Sequence, residues 1–242
     1  DRSGIIYCMT RKTVEEVCAL LQDNGYAATR YHAGLSEEER RRNQDDFLYD
    51  RKTIMAATNA FGMGINKSNV SFVIHYNMPK DLESYYQEAG RAGRDGAAAD
   101  CVLLFSPGDI YTLRSLITRP NADPTIPPET QNALIDRNLR RLNDMYDYGS
   151  STDCLRSRIL RYFGEEGMED CGNCSHCLTA TTPIDATVDA QKFLSCVIRM
   201  QSRYTAVTVI AVLTGSQTKK IKDAGLDKVR TYGIMRECDR SY

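Results

Sequence analysis

Two groups of residues in this 242-residue chain have the types and spacing to do chemistry. The first is Cys171-x2-Cys174-x2-Cys177, with Cys154 seventeen positions upstream. Four thiolates satisfy a tetrahedral zinc ion and leave no open position for water, so the expected role is structural. Gly164, Gly167, Gly172 and Asn173 let the chain close around such an ion. A C-x2-C-x2-C run also opens ferredoxin-type iron–sulfur sites, but the C-x3-C-P continuation is missing, which favours zinc. His176 lies inside the run as a substitute ligand, although the cysteines alone complete the shell. The second group is Gln87-Glu88-Ala89-Gly90-Arg91-Ala92-Gly93-Arg94-Asp95-Gly96. Arginines spaced i, i+3 are expected to project from one side of a helix end. Gly90 and Gly93 put no side chain between them and a close ligand. Paired guanidinium forks suit a triphosphate, whose charge spreads over its equatorial oxygens during transfer.

The elements that must position these groups follow from hydrophobic periodicity. Short apolar runs at Ile5–Cys8, Ala28–His32, Thr53–Ala57, Phe72–Tyr76 and Cys101–Phe105 read as strands. Thr13 and Glu16 have the spacing of a capping box, with Val14, Val17, Cys18 and Leu21 on one helix face and Gly25 as the stop. Ser36 and Glu39 form a second box, opening a charged helix through about Phe47. Asp81 is placed to cap a helix carrying Leu82, Tyr85, Tyr86 and Ala89. Strands alternating with helices predict an α/β fold, a parallel sheet with helices on both faces. Ligands of such sheets sit beyond the carboxyl ends of the strands, so the loops after Cys8, His32, Thr58 and Tyr76 are the places to look.

Asn121–Pro128 reads as a linker. Ile135, Leu139, Leu142, Met145 and Tyr146, then Leu155, Ile159 and Phe163, recur at helical spacing and predict a helical hairpin, with Asp153 as the cap of its second helix. Thr179–Pro183 is a second linker, followed by a helical, basic segment broken at Gly215, Gly225 and Gly233. The expected domains are therefore residues 1–120, 121–184 and 185–242.

Composition excludes some classes. The chain has a net charge of −1, but residues from Thr187 onward carry +5 and the first 186 carry −6. A basic segment on an acidic body hints at a polyanionic partner. No apolar run approaches the roughly 18–20 residues that span a membrane. Nine cysteines, an odd count with no export signal, argue against a disulfide framework. Cys8, Cys18, Cys101, Cys196 and Cys238 are expected to be small buried hydrophobes.

The ten-residue arginine string resembles motif VI of superfamily 2 helicases and, in its full form, that of the RecQ family. Ile6-Tyr7-Cys8 with Thr10-Arg11 looks like motif IV, and Tyr31-His32-Ala33-Gly34-Leu35 like the loop that follows it. Ala57-Thr58-Asn59-Ala60-Phe61-Gly62-Met63-Gly64-Ile65-Asn66-Lys67 looks like motif V. The four cysteines match the RecQ zinc subdomain, with Arg161-Tyr162-Phe163-Gly164 ahead of the Cys run, and Arg203-Tyr204 through Tyr232-Gly233-Ile234 resembles the opening of a winged helix. The resemblance implies a second RecA-like lobe, a helical zinc subdomain and a partial winged helix of a 3′-to-5′ DNA helicase.

It also implies roles. Arg94 would be an arginine finger reaching ATP held with Mg2+ on a partner lobe, and Arg91 its companion near the γ-phosphate. Gln87 would link the motif to nucleotide or the opposite lobe, and Gly62 and Gly64 would let the motif V loop move. Asn66 stands where the family usually has Asp, and keeps the acceptor oxygen but not the charge; Asn59 stands where an apolar residue is typical. Thr10, Arg11, His32 and Thr58 would lie along single-stranded DNA, on phosphates.

No G-x-x-x-x-G-K-[ST] loop occurs in the sequence, nor an Asp-Glu-x-His motif. The chain is therefore expected to be part of a longer motor, with both motifs in a first lobe ahead of Asp1, and to be inactive on ATP alone. Expected partners are single-stranded DNA, a duplex junction and that first lobe, in a bacterial cytoplasm at the nucleoid or in a nucleus. Two other readings stand beside it: a non-enzymatic zinc and winged-helix DNA binder, and an RNA helicase.

Overall fold

A computed structural model gives the fold and describes residues 2–62, 67–119, 126–179 and 184–237. Gly64, Asn66 and Cys238 lie outside the described residues. At the centre is β1 (Gly4–Tyr7), flanked by β3 (Ile54–Ala57) and β4 (Phe72–His75). With β2 (Ala28–Tyr31) and β5 (Asp100–Leu103) outside them, the sheet is parallel in the order β2-β3-β1-β4-β5. Strand alternation divides the core into two layers. Ile5, Tyr7, Met55, Ala57 and Val73 pack with Phe47 of α2 (Glu37–Leu48) and with Phe61. Ile6, Ala28, Ile54 and Ala56 pack with Val14, Val17 and Cys18 of α1 (Arg11–Asp23). α1 and α2 thus cover opposite faces, as the expected α/β fold requires. β1 and β3, buried at every position, are the continuous apolar runs of a doubly covered sheet.

β5 differs because it has a neighbour on one side only. Cys101 is exposed there rather than buried, a correction to the sequence expectation; Cys8, Cys18 and Cys196 are buried as expected.

Two caps also differ from expectation. α1 begins at Arg11, and Thr10 is its cap, accepting the Thr13 N–H at 3.1 Å; Thr13 and Glu16 form no capping box because both already lie inside the helix. The Ser36–Glu39 box does form, and Asp81 caps α3 (Leu82–Ala89) by accepting the Ser84 N–H at 2.7 Å. Gly25 ends the α1 region with φ +82°.

α4 (Asp109–Ile117) escaped the sequence reading, although Ile110, Leu113 and Ile117 have helical spacing. α5 (Pro128–Ser150) and α6 (Leu155–Tyr162) form the expected hairpin. Asp153 does not cap α6. Cys154 occupies that position, and Asp153 instead pairs with Arg158 at 3.2 Å. Leu82 and Tyr85 of α3, Leu113 of α4 and Leu142, Met145 and Tyr148 of α5 share one buried cluster. Lobe and hairpin are consequently one compact unit, Asp1–Thr179, which includes α7 (Ser175–Leu178).

The second unit is Ala180–Tyr242. Its described part holds α8 (Thr187–Arg199), α9 (Ala206–Leu213), α10 (Lys219–Asp223) and a 3-10 turn at Leu226–Lys228. Cys196, Met200, Val209, Val212 and Ile221 form its core. Among the described residues no helix is long and apolar enough to cross a membrane.

Candidate functional site

The carboxyl ends of β1, β3 and β4 meet the turn that carries the two arginines. α3 ends at Ala89, and the chain then turns rather than continuing as helix. Gly93 takes φ +68°, a left-handed conformation that suits glycine, and its N–H bonds Val70 O at 2.9 Å. The two arginines therefore do not share one side of a helix end, as their spacing had predicted. Arg91 is buried and Arg94 exposed. The Arg94 Nε donates to Gly90 O at 3.3 Å.

Arg91 packs against the loop after β3. A Cβ on Gly62, whose φ is +152°, would come within 2.5 Å of Arg91 Nη2. The Tyr7 hydroxyl donates to Phe61 O at 3.1 Å, and the Arg91 guanidinium lies beside the same hydroxyl. Burial pushes the Tyr7 phenol well above its ordinary range, and the Arg91 guanidinium offsets only part of that. The Tyr7 ring stacks on His75 at 5.5 Å, and His75 Nε2 pairs with Glu88 Oε2 at 2.9 Å. Tyr7, His75 and Glu88, with Asn77 and Leu113, line a cleft of about 300 Å³. Gln87 is exposed on the last turn of α3.

The four residues expected along a nucleic-acid strand lie at the same strand ends but in different settings. Thr10 and Arg11 are exposed at the start of α1, where helix N–H groups and a positive dipole end favour an anion. Thr58 is half-buried directly after β3. His32 is buried, and both its ring nitrogens are engaged: Nε2 with Glu15 at 2.8 Å and Nδ1 with the Gly34 N–H at 3.1 Å. Lys67, which ends the motif V-like segment, is buried and donates to Asp50 at 2.6 Å, anchoring that segment to the end of α2.

The cysteines converge from two segments, the start of α6 and the run from Cys171 to Cys177. The four Sγ atoms lie within 4.8 Å of one another, with Cys174–Cys177 at 3.3 Å and Cys171–Cys177 at 3.8 Å. Zn–S bonds of about 2.3 Å in a tetrahedron put sulfurs roughly 3.8 Å apart, so the set fits one zinc ion. A multi-iron cluster would hold the sulfurs further apart. Burial works against the Cys174 thiolate, but N–H donors of Cys177 and Leu155 and the neighbouring thiols outweigh it and bring the thiol down to about 6. Cys177 moves the other way, raised first by the Asp170 carboxylate. His176 is not a substitute ligand: its Nδ1 faces Asp153 O at 2.8 Å.

Three family descriptions match in order along the chain: helicase conserved C-terminal domain over residues 1–96, RecQ zinc-binding over 107–178 and RQC domain over 181–242. The ATP-dependent DNA helicase RecQ of Bacillus subtilis is 46% identical over 97% of this chain and 38% of its own length. The chain belongs to the RecQ family. Similar relatives of the same name occur in Pasteurella multocida, 39% identical over 100% of this chain and 37% of the relative, and in Haemophilus influenzae, 40% identical over 100% and 38%. The chain thus spans under two fifths of the length of these relatives. Among solved structures it is similar to a DEAD box protein from the hyperthermophile Methanococcus jannaschii, at 24% identity and TM-score 0.42 over 58% of this chain and 33% of that one.

In this RecQ chain the zinc subdomain and its structural ion are those the cysteine spacing predicted. The polar residues that sequence reasoning missed are Tyr7, His75, Glu88 and Glu15. Each was legible only as part of a strand or helix pattern. No local signal distinguishes a core tyrosine from one whose hydroxyl ties two loops together.

Proposed function

We propose that this chain is the second motor lobe, zinc subdomain and start of the winged helix of an ATP-dependent DNA helicase that moves 3′ to 5′. The observation that carries the reading is the arginine turn. Gly93 separates a buried Arg91 from an exposed Arg94 and leaves a guanidinium at the rim of the strand ends, where a facing lobe would bring a triphosphate. In this reading Arg94 is the finger, Arg91 supports it, and Gln87 contacts nucleotide or the opposite lobe. ATP and Mg2+ are held mainly by a first lobe elsewhere in the full-length protein. Cys154, Cys171, Cys174 and Cys177 hold zinc. Thr10, Arg11 and Thr58 contact strand phosphates, and His32, held by Glu15 and by the Gly34 N–H, shapes the loop that follows β2. Gly62 and Gly64 give the motif V loop its freedom, and Asn66 touches nucleotide without the charge of the usual Asp. Domain boundaries near residues 120 and 184 follow the two linkers. Such a protein works where its DNA is, at a nucleoid or in a nucleus.

ATP closure would bring the lobes together and opening would release them, so that alternating grip moves the strand. The purely DNA-binding reading offers no reason to hold an arginine against Gly62 beside a second, exposed one. The test is ATP turnover by the full-length protein with single-stranded DNA or RNA of the same sequence. Turnover stimulated by DNA and much less by RNA is expected. Equal stimulation by RNA supports the RNA-helicase reading, and absence of turnover supports the non-enzymatic one.

A further inference from the structure

Tyr7 sits at a junction that neither the zinc site nor the exposed arginine explains. It is the last residue of β1, 4% exposed, and its hydroxyl is the one polar atom of a side chain otherwise packed in the core. That hydroxyl sits between two different loops. It donates to Phe61 O at 3.1 Å, and the Arg91 guanidinium lies close enough beside it to act on its charge. The ring is fixed from the other side by His75, itself held by Glu88 at 2.9 Å, three residues before Arg91. The loop after β3 and the arginine turn therefore meet at one oxygen atom.

Steric evidence agrees. Gly62 follows Phe61 directly, and a Cβ there would overlap Arg91 at 2.5 Å from Nη2 and 2.8 Å from Cζ. Arg91 thus lies flat against this backbone. Its Nε has no hydrogen-bond partner among the described residues although it is buried. Close packing against Gly62, with the Tyr7 hydroxyl alongside, therefore does much to set where the guanidinium lies.

We propose that Tyr7 is a positioning residue: its hydroxyl couples the loop after β3 to the arginine turn, so that a change in one loop is transmitted to Arg91 and, through the turn, to Arg94. This rests on the ATPase reading above. Removing the hydroxyl leaves the Phe61 carbonyl without its side-chain partner and takes a polar neighbour from a guanidinium that already has an orphaned nitrogen. Arg91 then rotates in search of partners, and the turn loses its fixed geometry. The aromatic packing against His75 survives, because the ring is unchanged.

The test uses the full-length protein with Tyr7→Phe, Gly62→Ala and Arg94→Ala side by side, measuring DNA-stimulated kcat, KM for ATP, affinity for single-stranded DNA and melting temperature. Tyr7→Phe is expected to lower kcat about tenfold or more, the effect of about 1.4 kcal/mol on the barrier. KM and DNA affinity should stay within about twofold of wild type, because substrate binding is left intact. Gly62→Ala should give the same split between kcat and KM, and it decides the matter if Tyr7→Phe fails to fold. A double variant with Arg91→Lys should cost no more than the worse single change, because both act on one contact. Tyr7→Phe and Gly62→Ala proteins that are folded and turn over ATP at the wild-type rate overturn the proposal. If Arg94→Ala loses turnover in that same experiment, only the coupling role fails. If Arg94→Ala also keeps wild-type turnover, the ATPase reading itself fails.

Discussion

Arg94→Ala in the full-length protein should reduce DNA-stimulated ATP turnover about 10³-fold or more, the range in which removal of an arginine finger acts. The loss should fall on kcat, because the guanidinium meets charge that develops during phosphoryl transfer rather than charge present in the ground state. In the proposed reading Arg94 and not Arg91 is the critical tip, and the geometry favours that choice. Arg91 is buried against Gly62, whereas Arg94 is exposed beyond the left-handed Gly93. Arg94→Lys should restore only a small part of the rate, since an ammonium is a point charge and lacks the planar fork. Steady-state kinetics check this directly, and normal turnover by Arg94→Ala would refute the assignment.

The second large effect belongs to the metal. Cys174→Ala leaves three sulfurs where four meet within 4.8 Å, and takes away the thiol that the N–H groups of Cys177 and Leu155 hold down at about 6. Structural zinc in small domains contributes about 10–16 kcal/mol of apparent folding free energy, so losing one ligand is expected to unfold the segment it closes. That segment is bounded, because α5 remains packed on α3 and α4 through Leu142, Met145 and Tyr148. The expected result is loss of bound zinc with fast hydrogen exchange or proteolysis confined to about residues 151–179, the stretch that the four cysteines tie together. Chelation of the wild type should reproduce it. A zinc-free variant with unchanged melting would show that the cysteines do not hold the hairpin together.

How far these sites were legible in the sequence depended on the kind of signal each one used. The zinc centre was the most legible, because the C-x2-C-x2-C run names three ligands within seven residues and Cys154 completes the four. The strands were legible because β1 and β3, covered on both faces, read as unbroken apolar runs. The edge strand β5 misled for the same reason: Cys101 looks like a core residue until the sheet order leaves it with one neighbour. Local capping rules gave Ser36 and Asp81 but misplaced the start of α1, where Thr10 and Thr13 both have the right chemistry and only the backbone decides between them. The arginine pair was legible as chemistry but not as geometry. Its i, i+3 spacing suggested one helical face, and Gly93 instead turned the chain so that one arginine went in and the other out. Tyr7, His75 and Glu88 were visible only as members of strand, helix or motif strings, with no sign of their roles, since their contacts join strands, loops and helices far apart in sequence.

The measurement that bears most directly on the whole account is strand displacement by the full-length protein on a duplex with a single-stranded tail, in the presence of ATP. The account predicts unwinding from a 3′ DNA tail, little from a 5′ tail or from an RNA duplex, and loss of unwinding in Arg94→Ala while DNA binding persists. Unwinding that is unaffected by Arg94→Ala, or a wild-type protein that binds the tailed duplex and never opens it, would contradict it.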